Sequence, residues 1–233
     1  MEQWLEFAKG TLFRFTFTLM LLGLLRLFIL QVWGIVEAYF RAADKNVPLK
    51  SLLKTTFTWA FPVTRLYRLR PFHSFTSFFF HAGMILVPIF FNEHIGLWEK
   101  SVGISWVGFS KTVADPLTLI TIAAIIILFA MRVIDRNSRF MSDAFDYLIL
   151  ALLFIPFASG FFASHPHICP LPYNLMMLIH ILSAEVIFVL LPFTKLAHVA
   201  LYMTIRVSSD IAWRFVPDAG EKVAAALGRE GRV

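Results

Sequence analysis

Seven histidines, His73, His81, His94, His165, His167, His180 and His198, are the side chains best suited to ligate a metal or move a proton near neutral pH. Four of them stand inside long apolar stretches, where an ionisable group is expensive and functional by default. His180 and His198 are separated by the length of five helical turns. A single helix would present both on one side, about 27 Å apart along its axis. By the same rise His81 and His94 lie about 19.5 Å apart on another helix. The chain holds one cysteine, Cys169, and no C-x-x-C-H run. That excludes a Cys-ligated iron–sulfur cluster or zinc site within this chain, and covalent haem attachment. The ligands of any redox cofactor must be histidines or carboxylates.

The elements that must position these histidines follow from composition. Of 233 residues, 58% are hydrophobic and 15% charged, against about 45–50% and about 25% in soluble domains. Mean hydropathy is +0.73. This excludes a disordered chain, a secreted disulfide scaffold and an ordinary cytosolic enzyme. A helix needs about 20 apolar residues to cross a hydrocarbon core of roughly 30 Å. Five stretches qualify: 12–40, interrupted by Arg26, then 74–98, 113–134, 144–163 and 172–205. The expected fold class is an all-α membrane protein, a five-transmembrane-helix bundle over 1–210 with a polar tail over 211–233. The first stretch is too long for a cleaved signal segment and reads as a retained anchor. The segment near 48–70 mixes Leu, Phe and Trp with basic residues, which suits an interfacial helix or two, or a docking face for a partner.

Lys+Arg 21 less Asp+Glu 15 gives a net charge of +6. The charges stand in blocks between apolar stretches, a pattern of membrane topology and not of nucleic-acid binding. Basic residues crowd the first connection (Arg41 to Arg70), the third (Arg132, Arg136, Arg139) and the tail. The second connection holds only Lys100 and Lys111, and the fourth none. The positive-inside rule therefore predicts the N-terminus outside and the C-terminus in the cytoplasm.

With that topology the second and fifth spans run antiparallel. His94 and His180 meet at the outer side, His81 and His198 at the inner side. Two bis-histidine sites stacked across a bilayer suit two non-covalent b-type haems, with irons roughly 20 Å apart. The helical arithmetic has one defect: thirteen residues rotate an ideal helix by about 1300°, leaving His94 about 140° from the His81 face. Pro88 lies between them, and a kink or widened turn there re-aims His94. His73 follows Pro71 and reads as interfacial. The competing reading is a haem-free anchor or transport subunit, using the same histidines for helix packing or proton movement.

Other polar groups fall around these sites. Arg26, mid-span, suits a haem propionate, a carboxylate partner or snorkelling. Lys195 suits snorkelling to the cytoplasmic surface or the inner haem's propionate. Glu185, five residues after His180, suits hydrogen bonding or proton transfer. Oxidising a quinol releases two protons, so a quinol site needs acceptors at the proton-releasing face. Lys111, Glu93 and Lys100 are the outer-side candidates, and His165 and His167 lie in the neighbouring loop. The run His165-Pro-His-Ile-Cys-Pro lacks a fourth metal ligand.

Phe80-His81-Ala82-Gly83, Asp146-Tyr147-Leu148, Leu178-Ile179-His180 and Pro192-Phe193-Thr194-Lys195-Leu196-Ala197-His198 resemble the gamma subunit of respiratory nitrate reductase. The resemblance runs from about residue 12 to 205. It implies a five-helix dihaem cytochrome b with its N-terminus outside, a quinol site beside the outer haem, and a site lysine near Lys111. The His81–His94 interval is longer than in that pattern. It is similar to the cytochrome b subunits that pair with heterodisulfide-reductase-like iron–sulfur proteins, as in the transmembrane (Tmc) complex of sulfate reducers. The function expected is electron transfer through two b haems. One end meets a quinol such as menaquinol, or a periplasmic multihaem cytochrome c. The other meets a cytoplasmic iron–sulfur subunit of heterodisulfide-reductase-like or nitrate-reductase-beta-like type. The setting expected is a bacterial or archaeal inner membrane, with this chain a multi-pass subunit of an oxidoreductase.

Overall fold

A computed structural model describes residues 1–41, 49–60, 68–215, 219–226 and 228. The chain is all-α, with no β-strand among the described residues. Helix α1 (Glu2–Phe7) continues through a π-helical turn (Ala8–Leu12) into α2 (Phe13–Arg41). Then come α3 (Leu49–Ala60), α4 (Pro71–Phe90), α5 (Asn92–Val102), α6 (Lys111–Ile134), α7 (Arg136–Phe140), α8 (Ala144–Ser164) and α9 (Tyr173–Leu190). Two 3-10 turns, Leu191–Phe193 and Lys195–Ala197, lead to α10 (His198–Phe215), and α11 (Ala219–Ala226) follows. Among the described residues, five segments are long and apolar enough to cross a membrane: Glu2–Phe40, Pro71–Phe90, Lys111–Ile134, Ala144–Ser164 and Tyr173–Phe193. Leu21, Leu22, Leu25, Phe28 and Ile29 of α2 are all exposed. A continuous face of that kind suits lipid tails as solvent, and the chain is a multi-pass membrane protein.

Three sequence-based boundaries move. The first span begins at Glu2, ten residues early, because the π-helical turn carries the helix through Gly10 without a break. The second ends at Phe90, since Phe91 is extended (φ −72°, ψ 126°). The fifth ends at Phe193. Helix α10 runs on to Phe215 and α11 follows within the 211–233 tail.

The chain forms two compact units. The first comprises Met1–Leu19 and Pro62–Val189. Within it α6 packs against both α4 and α8. Small and polar residues stand in the packed faces beside larger apolar ones: Ser74, Thr76 and Gly83 on α4, Ala114, Thr118, Thr121 and Ala124 on α6, and Ser159 and Ala163 on α8 are buried, as are Phe80, Val87, Ile125, Leu153 and Phe157. Lipid gives helices no hydrophobic reason to associate, so close backbone approach and hydrogen bonding must hold them together. Gly83 shows how close: a methyl group there would overlap the Thr121 hydroxyl. Thr121 cannot turn away cheaply, because it is fully buried and its Oγ1 donates to the Leu117 carbonyl at 2.6 Å. Gly83→Val should lower stability in detergent by about 1–3 kcal/mol, the cost of overpacking a tight interface. Thermal unfolding of the purified variant checks this, and an unchanged midpoint would show that α4 and α6 are not so closely packed.

At the Arg132 end of these helices, ion pairs tie the connections. Arg70 meets Asp135 at 3.1 Å, and Arg132 meets Asp146 at 3.4 Å. Asp135 also caps α7, accepting from the Ser138 hydroxyl at 2.5 Å and the Ser138 backbone at 3.1 Å. These hydrogen bonds, with Arg70 behind them, hold its carboxyl at about 2, below the usual carboxylate range. Asp143 and Asp146 form a reciprocal capping box that starts α8.

The second unit comprises Met20–Phe61 and Leu190–Val233. In it α3 packs on α10. Thr56 of α3 is fully buried, while Leu53, Phe57, Lys50 and Lys54 are exposed, an amphipathic arrangement. The rest of the expected interfacial segment, 61–67 with Pro48, lies outside the described residues. Pro192 has no N–H to continue α9 and its ring excludes the carbonyl one turn back. Thr194 is extended (φ −132°, ψ −177°), and its hydroxyl accepts from the Leu196 backbone at 3.2 Å, starting the chain again. Gly23 of α2 lies against the Pro192 ring, where a Cβ would come within 2.5 Å.

Candidate functional site

The interruption at 191–197 corrects one argument. His180 and His198 do not share a helix: His180 belongs to α9 in the first unit, and His198 opens α10 in the second. Five uninterrupted turns therefore do not relate them.

His94 and His180 do meet. Their rings lie with centroids 5.9 Å apart and planes only 13° from parallel. The break at Phe91 makes this possible. Ending α4 there leaves the Ile89 and Phe90 carbonyls without helical partners. Trp106 Nε1 donates to the first at 2.9 Å and the Phe109 N–H to the second at 2.7 Å. The Phe109 carbonyl in turn accepts from Asn92 N at 3.1 Å, pairing Phe91 with Phe109. Gly108 lets this segment approach, since a Cβ there would come within 2.5 Å of the Phe90 carbonyl. The chain then restarts as α5 with His94 in its first turn. The rotational defect in the helical spacing is thus removed by a break three residues after Pro88, not by a kink at the proline. Trp98, one turn after His94, is wedged against Phe13 at 5.5 Å and Phe17 at 4.5 Å. That contact holds α5 against the first helix.

His180 is positioned by α8. Its Nδ1 lies 2.8 Å from the Pro156 carbonyl. Gly160, one turn later on the same face, is what exposes that carbonyl. A Cβ on Gly160 would come within 2.7 Å of the imidazole Cε1 and 2.9 Å of Nδ1. A carbonyl can only accept, so Nδ1 carries the hydrogen and Nε2 the lone pair. His94 repeats the arrangement, with Nδ1 3.2 Å from the Val87 carbonyl. His81 Nδ1 donates to the Ser77 carbonyl at 2.7 Å, and His198 Nδ1 to the Lys195 carbonyl at 2.6 Å. All four histidines therefore present Nε2 as the basic nitrogen. Fixing the tautomer through Nδ1 is the usual support of a metal-ligating histidine.

Two imidazoles that shared one metal through bonds of about 2 Å would have centroids about 6 Å apart, the separation found for His94 and His180.

The remaining candidates fall elsewhere. Arg26 is exposed along α2, and Lys195 is exposed in the second 3-10 turn. Glu93 and Lys100 are exposed in the first and last turns of α5, where each complements the helix dipole. No hydrogen bond or ion pair joins either to the histidine pair among the described residues. Lys111 donates to the Ser164 carbonyl and so caps the C-terminus of α8. Glu185 is 3% exposed, and both carboxylate oxygens are buried without a hydrogen-bond partner. Gly160 and Pro156 escaped sequence reasoning, because a glycine and a proline inside an apolar run carry no chemical signal of their own.

Asp115 escaped it too. It meets His165 Nε2 at 3.2 Å, joining the start of α6 to the end of α8.

No family model and no solved structure matches the chain. A protein of Nitratidesulfovibrio vulgaris (strain Hildenborough) is 31% identical over 188 residues, covering 79% of this chain and 82% of the relative. The chain belongs to that protein's family. The relative's name states no activity, so the family sets no function, and the chemistry is argued from the site.

Proposed function

We propose that the chain is the membrane cytochrome b subunit of a respiratory redox complex, with two non-covalent b haems. The observation that carries this is the His94–His180 pair: two near-parallel imidazoles 5.9 Å apart, each with Nδ1 committed to a carbonyl and Nε2 left basic. Committing Nδ1 to a carbonyl leaves Nε2 as the ligating nitrogen, the usual arrangement of a metal-bound histidine. His94 and His180 hold the outer haem, while His81 and His198, each with Nδ1 on a carbonyl, are the second pair that the motif resemblance implies. Bound there, haem supplies one-electron chemistry. The chain's own part is to fix the ligand rings, exclude water from the outer pair and keep the redox path within protein. Arg26 and Lys195 are the cations that the sequence reading assigns to haem propionates.

The topology that fits is N-terminus outside and C-terminus in the cytoplasm, set by the basic connections. The ion-paired Arg132 end is then the inner end and the His94 end the outer. Electrons pass between quinol, or a periplasmic cytochrome, outside and an iron–sulfur subunit in the cytoplasm. That partner is of heterodisulfide-reductase-like or nitrate-reductase-beta-like type, and the membrane is the cytoplasmic membrane of a prokaryote. The reading is supported by the resemblance of the histidine motifs to nitrate reductase gamma and Tmc-type cytochromes b.

A pyridine haemochrome assay on the folded, purified chain tests it. Two haems b per chain are expected, with a sharp reduced alpha band. A folded preparation without haem would leave the haem-free anchor or transport subunit as the reading.

A further inference from the structure

The Asp115–His165 contact joins groups 50 residues apart in sequence, at the same end of the first unit as the His94–His180 pair. Asp115 lies in the second turn of α6 and His165 immediately follows α8. The carboxylate Oδ2 is 3.2 Å from His165 Nε2. His165 Nδ1 lies 2.9 Å from the Phe161 carbonyl and 3.1 Å from the Ser164 hydroxyl, whose own hydrogen is directed at that carbonyl at 2.9 Å. Both ring nitrogens thus face acceptors. The Phe161 ring covers the imidazole at 4.3 Å, and Lys111 pins the same helix end through the Ser164 carbonyl. The His167 ring stands 5.8 Å from His165 and is exposed. An acid–base pair is therefore held in one geometry, half covered by an aromatic wall, with a second imidazole leading to solvent.

Its place relative to the histidine pair is set by α8. Gly160 touches the His180 ring. His165 follows it by five residues, about 7.5 Å further along the helix axis. Ile168, exposed and apolar, follows closely, its N–H donating to the His165 carbonyl at 3.1 Å, and offers surface suited to an isoprenoid chain.

We infer that Asp115 and His165 are the proton-accepting residues for a quinol that reduces this chain at its His94 end, with His167 the next group on the way to the outer surface. The inference rests on the cytochrome b reading above. Oxidation of quinol to quinone breaks two O–H bonds and releases two electrons and two protons. The two electrons would be accepted, one at a time, by the haem that His94 and His180 would hold there. Each proton passes to the Asp115–His165 pair, then to His167 and water, and the pair returns to its starting state for the next. A base must lie within hydrogen-bond reach of the proton it takes. The pair, with side chains 16% and 28% exposed, offers that reach, whereas Lys111 is already engaged and Glu93 and Lys100 lie on another helix.

The test uses the intact purified complex. Wild type, Asp115→Asn and His165→Gln are mixed with menadiol, and haem reduction is followed in the alpha band. Dithionite-reduced spectra and haem content report folding, and the solvent deuterium isotope effect reports proton transfer. Menadiol should reduce wild type fast and each variant about 100-fold more slowly, the usual scale of a lost general base. Haem content and dithionite spectra should stay unchanged, and the isotope effect should rise. The conservative Asp115→Asn keeps the shape of the contact, so it reads out chemistry even if His165→Gln disturbs the loop. Equal rates in all three would overturn the assignment of the pair and leave the haem reading standing. Haem-loaded wild type that menadiol cannot reduce, while a small periplasmic cytochrome can, would overturn it in favour of a protein donor. Wild type without haem would overturn both.

Discussion

His180→Ala should yield a folded protein that retains one haem b in place of two, with the missing haem the one nearer the His94 end. His94→Ala should do the same. The size of the effect follows from the geometry. Each ring is half of a two-imidazole clamp with centroids 5.9 Å apart, and neither has a nearby histidine substitute on its own helix. Removing one leaves an iron with a single protein ligand and a cavity where the ring was. For His180 it also strips the Pro156 carbonyl of its donor beside Gly160. Haem per chain by pyridine haemochrome and a redox titration check this together. Both variants keeping two haems at unchanged potentials would rule the pair out as ligands.

The complementary result is expected for His81→Ala and His198→Ala, which should each remove the other haem and spare the outer one. His81 sits on α4, one turn after Ser77, whose carbonyl takes its Nδ1 hydrogen at 2.7 Å. His198 opens α10 and is fixed by the Lys195 carbonyl at 2.6 Å. The two belong to different compact units, so this assignment draws on the motif resemblance and the shared tautomer, whereas the outer pair draws on direct ring geometry. The informative measurement is the double variant His180→Ala with His198→Ala. It should hold no haem, because each haem has lost a ligand. A double variant with one haem intact at its original potential would show that His180 and His198 serve the same site.

Much of the molecule could be read without coordinates. Hydropathy over 20-residue windows located five spans, because the cost of an uncovered charge in lipid is large and local. The same cost singled out His81, His94, His180 and His198. The expected meeting of His94 with His180 holds in the structure. Spacing along unbroken helices over 74–98 and 172–205 does not produce that meeting, since both stretches are interrupted. Pro88 and Pro192 were visible as breakers, yet a proline states only that a backbone bond is lost, not where the helix stops.

What the chain determines by itself, then, is where it is apolar, where it is charged, and which scarce polar groups must be placed in the membrane. These are sums over neighbouring residues. What only the tertiary structure decided is the direction in which those groups face. α4 stops at Phe91 because Trp106 and Phe109, folding back from beyond α5, supply donors for the carbonyls freed at Ile89 and Phe90. His180 is aimed because Gly160, on another helix, leaves the Pro156 carbonyl open. Asp115 finds His165 because α6 and α8 pack side by side. Each is the satisfaction of a polar group by a partner 17 or more residues away. In a medium that offers no water to hydrogen-bond, that requirement decides the backbone path.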